Sequence, residues 1–133
     1  MKNKKIFSII LSFFIINFIN INLYAEEFKF EASQIETLEE GNIIKASSGA
    51  KIFGKNITIT SNQFVYDKQK SIAIISGNVI IEDFYNNITI NSEKVEYFRN
   101  LDKFISNGYT TINYNNNFYL ETLNIIYNKK INK

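Results

Sequence analysis

The segment Asn56-Ile57-Thr58-Ile59-Thr60-Ser61-Asn62-Gln63-Phe64-Val65-Tyr66-Asp67-Lys68 returns, position for position, as Asn87-Ile88-Thr89-Ile90-Asn91-Ser92-Glu93-Lys94-Val95-Glu96-Tyr97-Phe98-Arg99. The opening Asn-Ile-Thr-Ile is identical in the two copies. Ser61 falls on Ser92, Phe64 on Val95, Tyr66 on Tyr97, Lys68 on Arg99 and, beyond the quoted stretch, Gly77 on Gly108. Self-similarity at a fixed period of this size marks a stack of supersecondary units that share one core. A third copy beginning at Asn117 keeps Phe118, Leu120, Thr122, Ile125, Tyr127 and Lys129 in phase. An earlier, looser copy keeps Phe28, Phe30, Ala32 and Ile35, so the copies start near positions 28, 57, 88 and 118.

Within each copy apolar residues alternate with polar ones, which is the periodicity of a half-buried strand, and no stretch carries a helical stripe. Short breaks rich in Asn, Asp, Gly and Lys divide the chain into about seven strands: 28–36, 43–53, 57–66, 71–82, 88–98, 103–114 and 118–127. Connections this short join antiparallel neighbours. Strands near ten residues are about twice the usual ~5–6, so they are expected to bend. The repeat supplies a place for the bend: a small residue in the middle of each odd strand (Ala32, Ser61, Ser92, Thr122) and a Gly in each even one (Gly49, Gly77, Gly108). The expected fold class is therefore all-β, an antiparallel β-meander folded along its length as an open jelly roll, or β-taco, of repeats about 30 residues long. The step from Gly49 to Gly77 is three positions shorter than the step from Gly77 to Gly108, which predicts a deletion or a different bulge in the first copy. The inward set is Ile57, Ile59, Phe64, Tyr66, Ile75, Val79, Ile81, Ile88, Ile90, Val95, Tyr97, Phe104 and Ile112, with Thr58, Thr89, Glu93 and Glu96 facing away.

Composition narrows the function. The chain has 133 residues, 45% of them hydrophobic and 21% charged, with 25 Ile and 20 Asn and no Cys, His, Pro or Trp. Without Cys there is no disulfide framework or thiol nucleophile, and without His the commonest general base and zinc ligand is missing. Lys2, Lys4 and Lys5 precede an apolar run from Ile6 to Ile16, and Ala25 stands before Glu26 and Glu27, so residues 1–25 read as a signal peptide and 26–133 as the exported domain. The signal peptide takes with it three of the fifteen basic residues and none of the thirteen acidic ones, leaving twelve against thirteen. A net charge of −1 gives no footprint for nucleic acid. Export without cysteines suits a bacterial envelope compartment.

The blocks Phe30-Glu31-Ala32-Ser33-Gln34-Ile35-Glu36, Gly41-Asn42-Ile43-Ile44-Lys45-Ala46-Ser47-Ser48-Gly49-Ala50-Lys51-Ile52, Ile59-Thr60-Ser61-Asn62-Gln63-Phe64-Val65-Tyr66-Asp67-Lys68 and Ser76-Gly77-Asn78-Val79-Ile80-Ile81-Glu82-Asp83, in that order, resemble the OstA-like domain of the lipopolysaccharide-transport (Lpt) family. They are most similar to the N-terminal periplasmic domain of LptD and more distantly to LptA. The resemblance implies a non-enzymatic bridge whose open groove shields lipopolysaccharide acyl chains on the way to the outer membrane. It also implies copies or other Lpt components joined end to end, a periplasmic location and no cofactor. The ligand it implies is lipopolysaccharide or a similar amphipathic lipid, held by the inward set named above.

On the residues alone, the inward set also reads as the closed core of a structural or adhesive envelope repeat; the resemblance favours the groove. Asn56 and Asn87 head N-x-Thr sequences but sit at one repeat phase, where a turn Asn precedes a strand. Glu82 and Asp83 read as solvated turn charge, and the hydroxyls of Tyr66 and Tyr97 as reaching water at the rim. Phe28 and Phe30 at one end, with Phe118, Leu120 and Ile125 at the other, are the candidate edges for strand addition.

Overall fold

The computed structural model describes residues 29–129, so the expected signal peptide and Phe28 lie outside the described residues. Nine strands follow in chain order: β1 (Lys29–Glu31), β2 (Gln34–Leu38), β3 (Ile43–Gly54), β4 (Ile57–Asp67), β5 (Ile72–Asp83), β6 (Ile88–Phe98), β7 (Lys103–Tyr114), β8 (Phe118–Thr122) and β9 (Ile126–Asn128). They form one sheet in which each of β3 to β7 pairs antiparallel with its sequence neighbour. Both β1 and β2 lie against β3, at opposite ends of it, and both β8 and β9 lie against β7.

The five long strands match the expected ones within a residue or two. The two outer ones do not: 28–36 is divided at Ala32-Ser33, and 118–127 at Leu123-Asn124-Ile125. A central strand can turn the corner inside a continuous ladder because it shares its bulge with partners on both sides, whereas an edge strand has one partner and loses the ladder there. At the second break the lost pairs are replaced by specific bonds. Asn124 Oδ1 accepts the Gly108 N–H at 3.1 Å, and the Ile125 N–H donates to Ser106 Oγ at 2.9 Å while its carbonyl accepts the Ser106 N–H at 3.0 Å.

Every long pairing slips at the predicted corner, between Ser47 and Ala50, Thr60 and Gln63, Ser76 and Val79, and Ser92 and Lys94. Gly49, Gly77 and Gly108 hold φ of 84°, 78° and 100°, the left-handed region that costs a residue with a Cβ about 1 kcal/mol or more. Three of the four small corner residues, all but Ala32, act through their hydroxyls. Ser61 Oγ donates to the Gln63 carbonyl at 3.2 Å, Ser92 Oγ to the Lys94 carbonyl at 3.2 Å and Thr122 Oγ1 to the Asn124 carbonyl at 3.3 Å. Each bulge leaves a carbonyl outside the ladder, and the same i to i+2 bond in three successive copies satisfies it.

The shorter spacing of the first copy has two sources. Its bulge is Ser48-Gly49, with Gly second, where β5 has Gly77-Asn78, with Gly first. Its hairpin turn is Lys55-Asn56, where the β5–β6 turn takes four residues, 84–87. Asn56 and Asn87 close these turns at φ of 61° and 52°, as turn asparagines do. The repeat also governs how the turns stack: the N–H groups of Lys68, Arg99 and Lys129 donate to the carbonyls of Asn42, Ser71 and Asp102 at 2.9–3.0 Å.

The corners fold the sheet over on itself. Phe30 pairs with Ile52 near one end of β3, and Phe64 pairs with Ala46 toward the other, yet their rings lie 5.1 Å apart. One half of the sheet therefore comprises β1, β8 and the halves of the long strands that adjoin the β3–β4, β5–β6 and β7–β8 turns. The other comprises β2, β9 and the remaining halves. Between them lies the core, with Ile52, Ile59, Phe64, Ile75, Val79, Ile81, Ile90, Val95 and Phe104 buried almost completely.

Candidate functional site

The side-chain period of two places the expected inward residues in rows that cross every strand. In the first half, one row of cross-strand partners reads Phe30, Ile52, Ile59, Ile81, Ile90, Ile112 and Leu120. Nearer the turns, a second reads Ile57, Asp83, Ile88, Tyr114 and Phe118. In the other half, the row Ile35, Ala46, Phe64, Ile75, Val95 and Ser106 lies beside the row Ile44, Tyr66, Ala73, Tyr97, Phe104 and Tyr127. Of the thirteen residues expected to face inward, Ile57, Ile59, Phe64, Tyr66, Ile75, Val79, Ile81, Ile90, Val95, Tyr97 and Phe104 are buried, while Ile88 and Ile112 are half-buried against the same cluster.

Two properties of these rows matter for a ligand. Their middles are dry, with Ile59, Ile75, Ile81 and Ile90 at 0–1% exposure, so nothing reaches them unless the two halves part. Three of the rows are wet at one end only: Ile35 is 52% exposed, Leu120 41% and Phe118 55%, whereas the opposite ends of the same rows, Ser106, Phe30 and Ile57, are buried or packed on the core. The apolar face thus reaches solvent at the β2 edge in one half of the sheet and at the β8 edge in the other, with the buried core between them.

The crease behind the rows is polar and fully bonded. Thr110 Oγ1 donates to Ser106 Oγ at 2.8 Å and lies 3.1 Å from Ser92 Oγ, and no buried side-chain polar atom among the described residues lacks a partner. A buried network satisfied in this way fixes the corner without opening it to water.

The mouth, opposite the crease, departs from the expectations. Tyr66 and Tyr97 do not extend their hydroxyls to open water: both residues are buried, Tyr66 Oη accepts from Arg99 Nη1 at 3.3 Å, and Tyr97 Oη donates to Asp102 Oδ1 at 3.2 Å. Asp83 is not solvated turn charge. It is 1% exposed, and its carboxylate accepts bonds from the N–H groups of Tyr85 and Asn86, from Asn86 Nδ2 and from Tyr127 Oη. Alternation could have placed Asp83 inward, because it shares a face with Val79 and Ile81; its acidity and its neighbouring turn argued the other way.

The edge residues are likewise placed unevenly. Leu120 and Phe118 are exposed on β8, but Ile125 lies in the break between β8 and β9 and packs on the core. Phe30 also turns in, its ring 5.1 Å from Phe64 and 5.7 Å from Tyr66. Sequence reasoning missed Ile52, Ala46 and Tyr127 as inward residues. Ile52 continues the Ala50-x-Ile52 alternation, and Tyr127 is the repeat equivalent of Tyr66 and Tyr97.

Among solved structures, the fold is similar to the crystal structure of LptH, the LptA homologous periplasmic component of the conserved lipopolysaccharide transport device from Pseudomonas aeruginosa, with a TM-score of 0.69. The match covers 77% of this chain and 76% of that one at 13% sequence identity, a likeness of fold. No curated protein matches the sequence. Residues 58–130, more than half of the chain, match the family described as "LptA/(LptD N-terminal domain) LPS transport protein". They run from the second residue of β4 through β9 and so take in the part of each row that lies beyond β3, Ile57 excepted. The folded nine-stranded sheet and this match agree, and the chain belongs to the LptA/LptD N-terminal family of lipopolysaccharide-transport proteins.

Proposed function

We propose that residues 26–133 form a periplasmic lipopolysaccharide-transport module, exported by the signal peptide 1–25, which shelters acyl chains between the two halves of its folded sheet. The observation that carries this reading is the apolar face that reaches solvent on both sides of the core, at Ile35 on one edge of the sheet and at Leu120 and Phe118 on the other. An isolated hydrophobic core has no need of wet ends, whereas a conduit needs an entrance and an exit. The energetic demand is substantial: at ~0.8 kcal/mol per CH₂, a chain of a dozen carbons requires ~10 kcal/mol of apolar shelter, which only a strip several strands wide supplies. Family membership supports lipopolysaccharide as the cargo, and the two exposed edges support passage to a neighbouring Lpt component or a second copy.

The dry middle of the rows favours a second reading, an envelope β-repeat with a permanently closed core. Photo-crosslinking decides between them. A photo-reactive residue at Ile59 or Ile90 captures lipopolysaccharide in the conduit reading, while one at Thr58 or Thr89, on the opposite face of the same strands, does not. Equal capture at all four positions overturns the groove assignment, and no capture in folded protein supports the closed core.

A further inference from the structure

Asp83 poses a problem that the turn beside it does not explain. A carboxylate removed from water is tolerated only where hydrogen bonds replace its hydration. Two of its bonds, from the Tyr85 and Asn86 N–H groups to Oδ1 at 3.1 Å each, shape the β5–β6 turn and would persist if the side chain were exposed. The β3–β4 turn closes without any acid, between Gly54 and Ile57. Asp83 instead occupies the inward row, with Ile57 and Ile88 as its cross-strand partners. What accounts for an acid there is its second oxygen, which accepts Tyr127 Oη at 2.9 Å and Asn86 Nδ2 at 2.9 Å, while Asn86 Nδ2 also reaches Tyr127 Oη at 3.0 Å.

Tyr127 comes from the other half of the sheet. Its register partners are Phe104, Tyr97 and Ala73, and Ala73 stands ten residues from Asp83 along β5, about 33 Å in a flat strand. The triangle of Asp83, Asn86 and Tyr127 therefore spans the mouth. Its tyrosine is presented rigidly, the ring 6.1 Å from that of Phe104, which stacks on Tyr97 at 4.3 Å. Beside it a second strap crosses, from Lys129 Nζ to the Lys55 carbonyl at 3.0 Å.

We propose that Asp83, Asn86 and Tyr127 form a clasp that holds the mouth closed at its C-terminal end and must release for an acyl chain to pass between the halves. The proposal rests on the conduit reading for its purpose and on the geometry above for its existence. The parts suit a device that opens. The strand bearing Tyr127 has three residues and lies at an edge, where local opening costs least. On release Asp83 turns its freed oxygen to water, so the open state strands no buried charge, and the turn it caps, no longer pinned to β9, opens more often together with that strand.

Tyr127→Phe keeps the ring stack and removes only the hydroxyl. Hydrogen exchange of the full domain reads the clasp directly: in this variant residues 126–129 and 84–87 exchange about tenfold faster, together, while the middles of β4 and β5 are unchanged, a tenfold effect being what a bond to a charged acceptor is typically worth. Asp83→Asn, which keeps one acceptor for the turn but sets an amide donor where Oδ2 accepts Asn86 Nδ2 and Tyr127 Oη, speeds exchange in the same two segments. Stopped-flow uptake of a fluorescent fatty acid is faster in Tyr127→Phe than in the parent. Unchanged exchange in both segments, faster exchange spread evenly over the sheet, or loosened segments with an unaltered uptake rate would each overturn the clasp. If the parent takes up no fatty acid or lipopolysaccharide, the conduit reading fails by itself, and the exchange contrast still decides whether the clasp exists.

Discussion

A Cβ built on Gly77 would stand 2.9 Å from Cβ of Asn62 and 2.6 Å from its Nδ2, whereas one built on Gly49 would meet nothing within 4 Å. Both glycines have positive φ, 78° and 84°, so both resist substitution for the same backbone reason. Only Gly77 resists it for a second one, because the Asn62 side chain of the neighbouring strand lies against the bulge. Gly49→Ala should then cost ~1–2 kcal/mol from left-handed strain alone, and Gly77→Ala ~3 kcal/mol or more once crowding adds to it. Urea denaturation of the two variants checks the ranking, and equal losses would show that crowding at the corner is relieved at no cost.

Neighbouring isoleucines on β5 test which face is the core. Ile81 is 1% exposed in the inward row, and Ile80 is 38% exposed on the outer face. Ile81→Ala should lose ~2–5 kcal/mol of stability through lost burial and a residual cavity, and Ile80→Ala under ~1 kcal/mol. The measurement is the shift in urea midpoint at constant m-value. A larger loss at Ile80 would invert the faces of the sheet.

The strands, their corners and the inward set were legible because each depends on local pattern. Period two assigns Ile59 and Thr58 to opposite faces, and the internal repeat lines up Gly77 with Gly108 and Ser61 with Ser92. What escaped depends on contacts between copies. Asp83 reads as turn charge until Tyr127, from a later copy, is brought across the mouth to cover it. The breaks at Ala32-Ser33 and Leu123-Asn124-Ile125 were hidden because the repeat is the same at an edge as in the middle, and only the missing outer partner makes the difference. Ile52 was lost to the uncertain phase of the first copy, whose shorter turn displaces it from the spacing of the later ones.

On the outer surface near β8, Tyr109 and Tyr119 share one acid. A hydrogen bond to Glu121 is the main reason that the Tyr109 phenol is pushed up to about 12, and the same acceptor raises Tyr119. The neutral phenols are favoured in the folded chain relative to the unfolded one. Their contribution to stability is therefore present below pH ~10 and is lost as pH climbs through the folded value of Tyr109. An alkaline titration followed by phenolate absorbance should show two late-ionising tyrosines that Glu121→Gln returns toward the ordinary range. Titration unaltered by that change would separate the phenols from Glu121.

The two exposed ends of the apolar face predict how copies associate. Ile35 on β2 and Leu120 on β8 lie on inward rows yet are half in solvent, one at each edge of the sheet. A contact between unlike edges is heterologous and does not close, so the parent domain should form chains whose average mass rises with concentration. Lysine is the residue that natural edges use to repel strand addition, and Ile35→Lys and Leu120→Lys each block one edge and leave the other. Each variant alone should sediment as a monomer. Mixed in equal amounts they retain a single compatible junction, the β8–β9 side of the first against the β1–β2 side of the second, and should form a dimer that grows no further. Sedimentation velocity over about a hundredfold range of concentration reads all three samples. A parent that remains monomeric throughout, or a mixture that shows no dimer, would mean that these edges do not carry the junction and that any relay from this module runs through another surface.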